Sequence, residues 1–151
     1  RETIVNLTDI GKEDIQILFT VSPVRHTKDG MVENNVSKSK LITALQEVLP
    51  HFEHCHYLPV YEIVMDDLRD YRFYKEDLVH PNSQAINYIW EKFGNAYFSD
   101  ETMDFIEENF KIAKSLGHKT TDEKNPKYQE FLEKLYSRIS VQQAKVKHKI
   151  F

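Results

Sequence analysis

YLPVYEIVMDDLRDYRFYKEDLVHPNSQAINYIWEKF, residues 57 to 93, carries the signals around which the rest of the chain is read. Inside it lies EDLVHPN, residues 76 to 82, where Asp77 and His80 are three apart and Pro81 follows directly. Proline fits the first turn of a helix, because its missing N–H has no partner there anyway. Ala85, Ile86, Ile89, Trp90 and Phe93 then recur at helical spacing, so a helix is expected from Pro81, with Gly94 as its stop. His80 is thereby placed in a loop at the mouth of a helix. An imidazole acting as a general base needs a partner on its second ring nitrogen, to fix the tautomer and stabilise the imidazolium. Asp77 is expected to be that partner. The competing role is a histidine that only caps or pairs locally, since this spacing also arises by chance.

Working outward, Tyr57 to Tyr61 reads as a strand, and Pro59 within it points to the edge of a sheet, because proline cannot donate to a ladder. Upstream, IQILFTV at 15 to 21 is short and almost continuously apolar, as expected of a strand buried on both faces. The intervening 22 to 56 is long enough for a crossover helix, so the two strands are expected to run parallel. Ser37 reads as the N-cap of that helix, with Leu41, Ala44, Leu45, Val48 and Leu49 as its buried face and Pro50 as its stop. Ile4, Leu7 and Ile10, followed by Gly11, suggest a short helix within residues 1 to 14.

SPVRHTKDG, residues 22 to 30, forms the loop at the carboxyl end of the first strand, where open parallel sheets bind their ligands. Arg25 and His26 are therefore candidate ligand contacts. Pairing of Arg25 with a nearby carboxylate is the equal alternative. Asn34 and Asn35 are placed in the following loop, as hydrogen-bond donors or as turn formers. HFEHCH at 51 to 56 gathers metal-capable side chains but lacks a spaced second pair, so a polar loop is preferred to a metal site. Asp66, Asp67 and Asp70 alternate with Arg69 and Arg72, which suggests ion pairs holding a long loop.

After Gly94 the chain becomes helical. Residues 100 to 116 carry acids in their first turn, and Gly117 ends them. HKTTDEK is a polar connector. Asn125 and Pro126 read as N-cap and N1 of a last helix, with Tyr128, Phe131, Leu132, Leu135, Tyr136 and Ile139 as its apolar stripe. The tail beyond Ala144 is expected to fray. Two domains follow: 1–95, a partial α/β domain, and 96–151, a helical extension.

The 151 residues carry a net charge of −4, which argues against a general nucleic-acid binder. No run of about 18 apolar residues predicts a membrane span. Four glycines leave no phosphate-binding loop, and neither cofactor nor metal is expected. The single Cys55 cannot form an internal disulfide and says little about compartment. A soluble chain is expected, of cytoplasm or periplasm, with nothing in the sequence choosing between them.

TVSPVRH at 20 to 26, the Asn-Asn-x-Ser-Lys run at 34 to 38, and VYEIVMDDLRDYRFYKEDLVHP at 60 to 81 together resemble the GSCFA family. That family is similar to the GDSL-type, or SGNH, hydrolases. The resemblance implies a flavodoxin-like three-layer α/β/α fold, with 15–21 and 57–61 as the last two strands. It also implies His80 as the base that activates a serine and Asp77 as its orienting acid. The family's Gly-Ser-Cys-Phe-Ala motif is not in this sequence, nor are the upstream blocks that supply oxyanion donors. The chain is therefore expected to be the carboxyl-terminal part of a serine ester hydrolase or acyl transferase, inactive alone. Its expected substrate is a small ester or an acylated carbohydrate, contacted by Arg25, His26 and Asn34. The alternative is a non-catalytic binding module with a hydrolase-like fold. In either case the expected partner is the rest of the same domain, or a second copy.

Overall fold

In the computed structural model, the described residues are 4–5, 15–118 and 125–151. The protein is mixed α/β. Contacts divide the chain into two compact units, Arg1–Phe93 and Gly94–Phe151. Of the helix expected within residues 1 to 14, Ile4 and Val5 are helical, and the remainder lies outside the described residues.

In the first unit, β1 (Ile17–Phe19) pairs in parallel with β2 (Cys55–Tyr57), in the register Ile17–Cys55, Leu18–His56 and Phe19–Tyr57. The ladder is extended by Ile17 N–H donating to His54 O at 2.8 Å and Leu58 N–H donating to Phe19 O at 2.8 Å. The parallel pairing agrees with the crossover length. Both strands are shorter than expected, and β1 is half-buried rather than enclosed on both faces. The second strand ends before Pro59, whose backbone instead opens a helix by accepting from Ile63 N–H at 2.9 Å. Pro59 therefore stops the strand, and its value as an edge marker is lost.

The crossover contains α1 (Met31–Val48). It starts six residues before Ser37, at Met31, and its N-cap is Gly30, whose φ of 105° is a left-handed-side value that glycine adopts without a Cβ penalty. Asn34 and Asn35 thus lie in the first turns of a helix, not in a loop. The helix gives way at Val48 to a 3₁₀ turn, Leu49–His51, with Pro50 near its start. The HFEHCH residues disperse over this turn and β2, where His56 Nε2 pairs with Gln16 Oε1 at 2.8 Å. Among the described residues no group of three or more His, Cys, Asp or Glu is gathered to hold a metal.

Much of residues 62 to 74, expected as a loop, is helical, up to Leu68 and again in a 3₁₀ turn at Tyr71–Phe73. A turn of α-helix, α2 (Val60–Glu62), widens into a π-helical segment, Ile63–Leu68, which Arg69 ends with φ 45°. Val64 and Leu68 from this segment pack with Tyr74 and Ala85 as the core of the unit, with Met65, Phe73, Tyr88 and Ile89 around them. This burial explains the helix: the apolar spacing in IVMDDL was obscured by the acids between. Those acids pair only partly with arginine. Asp70 meets Arg72 at 3.8 Å, whereas Asp67 Oδ2 accepts from the Tyr88 hydroxyl at 3.1 Å.

Helix α3 (Ser83–Tyr97) runs through Gly94. A Cβ on Gly94 would stand 2.8 Å from Met103 Sδ, so this glycine admits a neighbouring side chain rather than ending the helix. In the second unit, α4 (Asp100–Leu116) is capped by Ser99 and α5 (Pro126–Gln143) by Asn125, whose Oδ1 accepts from Lys127 N–H at 2.9 Å. Arg138 Nε donates to Glu108 Oε1 at 2.6 Å, tying α5 to α4. The tail does not simply fray. Gln143 Nε2 donates to His148 O at 2.8 Å, and Gln143 Oε1 accepts from Ile150 N–H at 3.2 Å. No helix among the described residues is long and apolar enough to cross a membrane.

Candidate functional site

The site is built on a narrow hairpin. Lys75 N–H donates to His80 O at 2.8 Å and Asn82 N–H to Phe73 O at 2.8 Å, so the chain from 73 to 82 folds back on itself. Tyr74 and Pro81 form the antiparallel bridge at its base, and both are buried. Asn82 fastens the hairpin to α3. Its Oδ1 accepts from Gln84 N–H and Ala85 N–H at 3.1 Å each, while its Nδ2 donates to Arg72 O at 2.6 Å. The helix cap is thus Asn82, and Pro81 precedes it. An Asn before an apolar-periodic run is itself an N-cap signal, so this residue was legible and was overlooked beside the proline.

At the tip, Asp77 bends the backbone back to itself. Its Oδ1 accepts from Val79 N–H at 2.9 Å and His80 N–H at 3.0 Å, and its Oδ2 meets His80 Nδ1 at 2.7 Å. The backbone N–H of His80, that of Val79 and the imidazole together hold the Asp77 carboxyl well below the usual carboxylate range. An ionised Asp77 beside Nδ1 selects the tautomer with its proton on Nδ1. The lone pair of His80 is then on Nε2, which has no hydrogen-bond partner among the described residues. The side chains of His80 and Asp77 are 54% and 45% exposed, so the pair is open to a reactant. His80 lines a cleft of about 370 Å³ whose other walls include Pro23, Val24, Ile86 and Ile89. An available imidazole nitrogen beside apolar walls, with its second nitrogen on a carboxylate, suits proton abstraction from a hydroxyl or a water.

Leu78, inside this tip, has φ 54°, an uncommon value for a leucine. Its carbonyl accepts from Arg25 Nη1 at 3.3 Å, and Arg25 N–H donates to Val79 O at 3.2 Å. The Arg25 guanidinium also lies over the rings of Tyr74 and Tyr71, at 4.4 and 5.0 Å from their centroids. Arg25 therefore has no carboxylate partner among the described residues; aromatic faces and a carbonyl hold it, so the ion-pair alternative is set aside. Nothing in the local sequence announced Tyr71 and Tyr74 as its neighbours.

His26 and Asn34 are brought together on the same loop, with Asn34 Oδ1 accepting from His26 N–H at 2.8 Å and His26 Nδ1 lying 3.4 Å from Asp29. Arg25 and Asn34 line a second cleft, of about 120 Å³, together with Lys38, Tyr61, Met31 and Met65. His26 does not line it, and neither does His80; Pro23 is common to both clefts.

A sequence model described as the GSCFA family matches residues 1–93. No curated protein and no solved structure matches the chain.

Proposed function

The chain belongs to the GSCFA family, and from this premise we propose that it is part of a serine ester hydrolase or acyl transferase in which His80 is the general base and Asp77 its orienting acid. The single observation that carries the proposal is the 2.7 Å contact between His80 Nδ1 and Asp77 Oδ2, with Nε2 lacking a partner among the described residues and the imidazole lining a cleft. In the proposed reaction Nε2 takes the proton of a serine hydroxyl as its oxygen adds to the ester carbonyl. The imidazolium, steadied by Asp77, then gives that proton to the departing alcohol as the acyl–oxygen bond breaks. Water, deprotonated by the same nitrogen, adds to the acyl-serine, and the imidazolium returns the proton to the serine oxygen as its bond to the acyl group breaks; an acceptor alcohol in place of water gives acyl transfer.

The serine belongs to a Gly-Ser-Cys-Phe-Ala segment that this sequence does not contain. We assign β1 and β2 to the last two strands of a flavodoxin-like three-layer sheet, completed by that segment's domain or by association. Arg25, His26 and Asn34 are proposed substrate contacts for a small ester or acylated carbohydrate. Residues 96–151 are the helical extension.

Two measurements test the reading. A fluorophosphonate probe is expected to leave Ser22 and Ser37 of this chain unlabelled. In a form of the protein that contains the serine, His80→Ala is expected to lower turnover on the order of a thousandfold or more. Undiminished turnover in His80→Ala rejects the mechanism.

A further inference from the structure

The smaller cleft has an unusual charge balance. Arg25 and Lys38 both line it, and no Asp or Glu does. Lys38 Nζ donates to Ser22 O at 2.7 Å, which leaves two of the three ammonium donors for another acceptor. Arg25 commits Nη1 to Leu78 O, which leaves most of its five N–H groups. Asn34 Nδ2 makes one long bond, 3.3 Å, to Asn35 Oδ1. Met31, Met65 and Tyr61 supply the remaining wall. Burial lowers the pKa of the Lys38 ammonium, the mark of a cation taken partly out of water without a countercharge. Two cations lining one small cavity, with no carboxylate among its walls, favour an anion there.

We propose that this cleft binds a carboxylate, held between Arg25 and Lys38 with Asn34 Nδ2 as a further donor. The planar guanidinium fork matches the two oxygens of a carboxylate. A volume of about 120 Å³ admits the carboxylate and a short stem, while the bulk of the ligand stays outside. Resting on the hydrolase reading, the inference also names a substrate class: an ester whose acyl or alcohol part carries a carboxylate, such as an acidic sugar.

The test is an NMR titration of the 151-residue chain with sodium acetate and sodium propionate at fixed ionic strength, with chloride as control and inorganic phosphate for comparison. Saturable shifts are expected at Arg25, Asn34 and Lys38. Affinity should fall about tenfold or more in Lys38→Gln, persist in Lys38→Arg, and be unchanged in Lys28→Gln, whose lysine lies outside the cleft. Shifts that do not saturate, or that chloride reproduces, overturn the site, as does an unaltered affinity in Lys38→Gln. Tighter binding of phosphate than of acetate overturns the carboxylate assignment. Because binding is read without turnover, the two readings fail separately. Saturable acetate binding with full activity in His80→Ala removes the hydrolase and leaves the site. Activity that depends on His80, without acetate binding, does the reverse.

Discussion

Asp77 concentrates three hydrogen bonds on one exposed carboxylate, and each requires it to be ionised or to accept. Asp77→Asn retains an acceptor for the two backbone N–H groups but turns an amide donor toward Nδ1. That donor favours the tautomer with its proton on Nε2, which cannot take another. Turnover in the serine-containing form is therefore expected to fall about a hundredfold or more, though less than in His80→Ala, and steady-state kinetics on the two variants decides the order. The same bonds set a pH dependence. The folded carboxyl is depressed below its unfolded value, so the unfolded chain binds the extra proton first as pH falls. The stabilisation from Asp77 is present in full above about pH 4 and is lost as pH drops further. Urea denaturation of the native chain and Asp77→Asn should show their difference shrinking progressively as pH falls below about 4, where unfolding takes up about one proton. A difference that stays constant would show that the carboxylate bonds are not formed in solution.

The 73–82 hairpin depends on Asn82, which serves the helix with its oxygen and the hairpin with its nitrogen. Asn82→Ala is expected to destabilise the chain by about 1–2 kcal/mol, read from the denaturation midpoint. Asn82→Asp keeps the cap acceptor and loses the donation to Arg72 O, so its midpoint should fall between the two. Equal midpoints for all three would mean that the hairpin is held by Tyr74 and Pro81 alone. In the second unit, Gln142 is buried in α5, and neither amide atom of its side chain has a partner among the described residues. Replacing it with methionine, of similar length, removes that desolvation penalty and should stabilise by about 1 kcal/mol. A lower midpoint in Gln142→Met would reveal an ordered water bonded to the amide.

For the molecule as a whole, the sheet is the weak part. Two paired segments of three residues each, Ile17–Phe19 and Cys55–Tyr57, leave β1 with one partner strand among the described residues. A half-buried apolar strand with a free edge is a template for further pairing. Light scattering on the purified chain is expected to show concentration-dependent association, weakened by Leu18→Lys, which places a charge in that strand. A stable monomer with a cooperative melt would show instead that two short strands and these helices suffice as a folded domain.

What was legible in the sequence is what a few neighbouring residues decide. The Asp77–His80 contact closes over three residues, with the Val79 and His80 N–H groups on the same carboxylate, and the caps at Ser99 and Asn125 close over two or three. The parallel pairing was legible in the link of residues 22 to 56, long enough for the crossover helix that parallel neighbours need. The surroundings of Arg25 were of another kind. Its partners Leu78, Tyr71 and Tyr74 lie some fifty residues away, and only the packed chain could choose aromatic faces over a carboxylate. Gly94 looked like a helix end because glycine is a poor helix former, yet room for Met103 outweighed that preference. Val64 and Leu68 likewise drew an acid-rich stretch into a helix once a core was there to receive them. Local hydrogen bonds form at little entropic cost and are written in adjacent residues; burial depends on every segment that closes over a side chain, and the tertiary structure alone decides that.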